Sequence, residues 1–266
     1  MLGKLIKHEL KATNRLLVPL YLALLGISII NHFLFPSAIN GGFLGLFVGF
    51  LIVAQVVLAI AILFTTIIFM IIRFYKNLLG DEGYLMFTLP VKAYQLIISK
   101  LIITLFWLII SLIIILISLY VAFSASVNMN IILKEIKFAF SELLTIFEGK
   151  QLILLTEFII IVLLASVENI LLIYVSIAIG QLFSKHKIIA SFVAYAVIYH
   201  ALQLIMLIII LVFGYATSGN IGLETIKYVN MVPQVFLPFT IITSLIGCIV
   251  FFTGTNYIFK RKLNLD

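Results

Sequence analysis

LGLFVGFLIVAQVVLAIAILFTTIIFMII, residues 44–72, contains no charged side chain. A helix needs about 20 predominantly apolar residues to cross the hydrocarbon core of a bilayer, so this stretch reads as a membrane span. Five other runs meet the same requirement: Leu16–Phe35, Leu96–Phe123, Leu152–Ile179, Ile188–Phe213 and Val235–Phe259. Of the 266 residues, 64% are hydrophobic and 10% charged, and the mean hydropathy is +1.32. A soluble domain carries about 25% charged residues, so that class is excluded. The expected fold is all-α: a polytopic membrane protein of six transmembrane helices in one domain, residues 1–266.

Orientation follows from the cations. Alternating the spans puts Lys4, Lys7, Lys11, Arg15, Arg73, Lys76, Lys92, Lys100, Lys185, Lys187, Lys260, Arg261 and Lys262 on one side, against Lys134, Lys137, Lys150 and Lys227 on the other. The richer side is expected to be cytoplasmic and to hold both termini. The net charge of +7 is therefore read as topology, with no nucleic-acid partner. Before the first span, Leu2, Leu5, Ile6 and Leu10 recur at helical spacing with the cations on other positions, which fits an amphipathic helix lying at the membrane surface or a solvated start to the span. No small-residue cleavage site follows the first apolar run, which is taken as a retained span. The single Cys248 allows no intrachain disulfide and no cysteine metal cluster.

Between the spans, residues 130–150 place Ile132, Ile136, Phe140, Leu143 and Phe147 near one helical face, opposite Lys134, Glu135, Glu142 and Glu148, as in a helix resting on the outer surface. Residues 214–234 are rich in Gly and polar side chains, suiting a re-entrant element or a plain loop. Gly41, Gly45 and Gly49 form a row that either permits close helix approach or marks the entry to the second span.

The segment NLLGDEGYLMFTLPVKAYQLIISK, residues 77–100, has more organisation than a connector requires. Gly80 can end one helix, Asp81 can cap a short new one with Glu82 at its positive end, and Pro90 can stop it. The apolar Tyr84, Leu85, Met86, Phe87 and Leu89 would then face a groove on a partner or the lipid interface.

This segment resembles the connection between the second and third spans of ABC-2 type permeases. Glu82, Gly83, Pro90, Val91 and Lys100 match that pattern, and Tyr84 to Leu89 match in character. The whole chain is similar in build to small Gram-positive exporters of amphipathic or antimicrobial peptides, such as phenol-soluble modulin exporters and bacitracin-resistance transporters. The resemblance implies a permease in the bacterial plasma membrane that pairs with a second, identical or paralogous copy. It implies that residues 81–89, including Gly83 and ending at Pro90, form a cytoplasmic coupling helix seated in an ABC ATPase subunit. That subunit would supply ATP and Mg, and the substrate would be an amphipathic peptide. The chain itself has no G-x-x-x-x-G-K-[ST] phosphate loop, so no cofactor and no catalysis are expected within it.

Within the spans, Glu157 and Glu168 are pathway candidates because intramembrane carboxylates are costly. Eleven residues separate them, which returns to within about 20° of one face and about 16 Å along the helix. An acidic face open to water would favour a cationic substrate. Matching depths makes His200 the expected partner of Glu168, with Gln203 beside it; a purely structural cluster is the competing reading. Asn31 and His32 suit an interface or a pathway. Alternatives to the ATP-driven exporter are a proton-coupled secondary transporter using Glu168 and His200, and an intramembrane protease. The protease would need a compact His and Glu ligand set, which the scattered Glu157, Glu168, His32 and His200 do not provide.

Overall fold

The computed structural model describes residues 2–38, 41–79, 92–125, 129–146, 151–183, 185–218 and 236–261. The described chain consists of α1 (Leu2–Ala38), α2 (Gly42–Leu79), α3 (Ala93–Phe123), α4 (Met129–Ile146), α5 (Gln151–Gly180), α6 (Lys187–Ser218) and α7 (Leu237–Arg261). All of these except α4 are long and apolar enough to cross a membrane. The protein is an all-α, multi-pass membrane protein. The expected coupling helix (81–89) and most of the Gly-rich segment (214–234) lie outside the described residues.

The N-terminal segment is helical, but it is not a separate helix. α1 runs unbroken from Leu2 to Ala38 through Pro19. Its buried residues are Glu9, Thr13, Leu17, Tyr21, Leu24, Ser28 and Asn31, and at 100° per residue they fall within an arc of about 120°. One buried stripe thus continues in phase from the basic segment into the span, and its neighbours hold both parts on the same axis. Proline removes one backbone bond, which a packed helix tolerates.

The chain divides into two compact units, Met1–Arg73 with Gln95–Phe140, and Phe74–Tyr94 with Ser141–Asp266. In the first, Leu17, Tyr21, Leu24, Ile62, Met70, Ile103 and Trp107 make the apolar core. α2 contributes through Gln55, Ile62, Thr66 and Met70, which recur every four or seven residues. In the glycine row, the position of a Cβ on Gly49 is open space, so no helix approaches there. Gly41 and Gly42 have φ of 74° and 73°, the left-handed region that glycine enters at least cost, and they form the turn into α2, inside which Gly45 and Gly49 lie.

In the second unit α5 packs against both α6 and α7. Tyr174 of α5 stacks on Phe74 with centroids 3.7 Å apart, and Phe259 of α7 stacks on the same Phe74 ring at 6.0 Å. α6 is apolar around most of its circumference, with Phe192, Val197, Leu204 and Ile208 exposed, as expected of a span in contact with lipid or protein. Gly180 lets the start of α6 approach α5, since a Cβ there would lie 2.7 Å from both the Lys187 carbonyl oxygen and the Ser191 nitrogen. Gly180→Ala is therefore expected to push α6 off its seat at a cost of about 1–3 kcal/mol. Thermal unfolding of the purified variant checks this, and an unchanged midpoint would show that α6 does not rest on Gly180.

α4 lies between the third and fourth spans, as expected. Ile136 and Phe140 of its apolar face are exposed, as are Ile131, Leu133 and Phe138, which suits a helix resting on lipid.

Candidate functional site

Two clusters of polar side chains stand out against this apolar background, one in each unit. In the first, α1 supplies Glu9, α2 supplies Arg73 and α3 supplies Lys100. Arg73 donates from Nε (3.0 Å) and Nη2 (2.8 Å) to Glu9 Oε2, while Lys100 Nζ bonds Glu9 Oε1. Glu9 and Lys100 are buried, at 7% and 5% exposure. One carboxylate thus ties together two cations from the helices on either side of the connecting segment.

The tie continues along α1. Trp107 Nε1 donates to Thr13 Oγ1 at 2.6 Å, and Tyr21 and Thr66 both meet Ser111 Oγ, at 2.8 and 3.2 Å. Farther along, Asn31 Nδ2 donates to Gln55 Oε1 (2.6 Å), and Gln55 Nε2 to Ser118 Oγ (2.9 Å). His32 Nδ1 lies 3.0 Å from both Ser124 Oγ and the Val121 carbonyl. Asn31 is therefore an interhelical clasp rather than a surface group. Buried polar side chains of this kind are stable in a membrane because each finds a partner on a neighbouring helix.

Neither Glu9 nor Gln55 is a candidate from sequence alone. Glu9 sits among lysines and reads as part of a solvated face. The available signal is periodicity, since Glu9 and Thr13 continue the i, i+4 series that leads to Leu17 and Tyr21.

The second cluster centres on Glu168 of α5. Its carboxylate lies near Ser244 of α7 and against Gly247, where a Cβ would collide with Oε1. Glu168 also lines a groove of about 470 Å³ between α5 and α6, together with Asn169, Tyr199, Leu202, Gln203 and Met206, among others. The expected Glu168–His200 pair does not form. His200 Nδ1 instead meets Gln203 Oε1 of its own helix at 3.1 Å. Depth alone could not choose between helices, and α7 brings a hydroxyl and a bare backbone to the carboxylate.

Glu157 is half-buried, and among the described residues its Oε2 has no hydrogen-bond partner. It does not line this groove, although both carboxylates stand on the same unbroken helix. Among the described residues neither is paired with a lysine or arginine, and no three His, Cys, Asp or Glu side chains come together as a metal site. The ATPase-coupling candidates Asp81, Glu82, Gly83, Tyr84, Leu85, Met86, Phe87, Leu89 and Pro90 lie outside the described residues.

The chain matches no family model, no curated protein and no solved structure. What the fold defines is the class already given, a multi-pass helical membrane protein with six candidate spans.

Proposed function

We propose that the chain is the permease subunit of an ABC exporter, acting as a pair of identical or paralogous copies in a bacterial plasma membrane. Amphipathic peptides leave the cell through it, and a separate ATPase subunit binds Mg and ATP and docks on the coupling segment 81–89. Both termini face the cytoplasm. The observation that most supports this reading is the Glu9–Arg73–Lys100 tie. Arg73 and Lys100 bracket the proposed docking segment, so a displacement applied there reaches α1, α2 and α3 together. Buried ion pairs hold register between elements better than they add net stability, which suits a part that must transmit movement without being tightly locked.

The test is biochemical. Full-length tagged protein extracted from its native membrane is expected to bring down a chain with a G-x-x-x-x-G-K-[ST] phosphate loop. Inside-out vesicles holding both chains should take up a fluorescent amphipathic peptide only when ATP is supplied. Uptake driven by a proton gradient without ATP would overturn the proposal in favour of a secondary transporter.

A further inference from the structure

We propose that the α5/α6 groove is a binding site for a single ammonium group carried on an apolar segment, such as a lysine or N-terminal amine of an amphipathic peptide; the peptide identity, but not the cation site, rests on the export reading. Polar side chains exposed along a span face water, a ligand or protein rather than acyl chains, because the cost in hydrocarbon is high. Here Asn169 and Gln203 are exposed and Glu168 half-buried, all three on one groove.

The hydrogen bonds already made leave two acceptor groups in this groove, the Glu168 carboxylate and the Asn169 amide oxygen, whereas the Gln203 Oε1 is already met by His200. Asn169 Nδ2 is committed to the Ala165 carbonyl at 2.8 Å, so its Oδ1 remains for a ligand. A carboxylate accepts about four hydrogen bonds, so Glu168, with Ser244 nearby, keeps capacity for a ligand. The Tyr199 ring adds a face that attracts cations, and Leu202 and Met206 supply the apolar wall. Among the described residues, Glu168 is the only charged one lining the groove. One carboxylate, an amide oxygen, an aromatic face and aliphatic walls complement one alkylammonium group. A Cβ on Gly247 would fall on the Glu168 carboxylate, so the glycine gives the carboxylate room against α7 in this position.

The experiment uses the full chain alone, without any ATPase, in phosphatidylglycerol nanodiscs, with monodansylcadaverine as probe and its neutral N-acetyl derivative as control. Saturable fluorescence enhancement above that of empty discs is expected, with the cation bound at least about tenfold more tightly than the control, a modest share of what a charge pair at close range provides. Glu168→Gln should erase that preference, while Glu157→Gln should keep it. Leu202→Trp, which fills the groove, should weaken both probes and decides the matter if Glu168→Gln fails to fold.

Equal binding of the two probes, a preference that survives in Glu168→Gln, or undiminished binding to a folded Leu202→Trp would each overturn the site. Loss of the cation preference in phosphatidylcholine discs would assign the groove to a lipid headgroup and overturn the peptide-amine assignment. Because no ATPase is present, failure here leaves the export reading standing, and absence of an ATPase from the native complex leaves the cation site standing.

Discussion

Glu9→Gln is expected to lower the unfolding midpoint of the purified protein by roughly 6–20 °C, the equivalent of about 3–5 kcal/mol for breaking a buried ion cluster. Arg73 makes two bonds to Glu9 Oε2, and Lys100 occupies Oε1. Removing the negative charge leaves two cations side by side with Lys100 only 5% exposed. The loss is therefore more than one bond, because both cations lose the carboxylate that all three bonds share. A second substitution separates these contributions: Lys100→Met in the Glu9→Gln background should recover part of the midpoint by removing one of the opposed cations. A Glu9→Gln midpoint within about 1 °C of the parent, far inside the shift expected for a buried pair, would show that the cluster does not hold the three helices together.

Phe87→Asp is expected to abolish copurification of the proposed ATPase subunit. The segment Tyr84–Leu89 is an apolar stretch with its own start signal at Asp81 and stop signal at Pro90, and those features are what single it out as a docking element. A buried aromatic anchor typically contributes 2 kcal/mol or more to an interface, so its loss alone weakens binding by about 30-fold. An aspartate in its place adds the cost of an unpaired charge in an apolar groove. Leu85→Asp should behave likewise, with both variants reaching the membrane at parental levels. Normal recovery of the ATPase with both would remove this segment from the coupling role.

The six apolar runs were legible because a span must be apolar over its whole length, whatever it packs against. The observed helices extend past them wherever the flanks continue a helical stripe, most clearly at Glu9 and Thr13, whose lysine neighbours masked it. Site chemistry was less legible. Glu168 and Gln203 could be nominated because polar groups are rare in spans, and both line the groove. The neighbours of Glu168 could not, because Ser244 and Gly247 belong to a helix far along the chain and Gly247 acts through the side chain it lacks. His200 had the right depth and the wrong direction, and equal depth places a side chain on a circle around its helix axis rather than at a point.

The layered contacts of α1 also set a length. From Glu9 to Asn31 the helix rises about 33 Å, close to the roughly 30 Å of a bilayer's hydrocarbon core. The ion cluster and the Asn31–Gln55–Ser118 clasp therefore fall near opposite edges of that core, with the neutral Tyr21–Thr66–Ser111 contact between them. The bundle carries its own thickness gauge. A bilayer several ångströms thinner would strand one polar layer among headgroups and expose an apolar turn, at fractions of a kcal/mol per ångström of mismatch. The vertical seat of these three helices is thus written into their interior, and lipid composition becomes a variable to which the first unit is tuned.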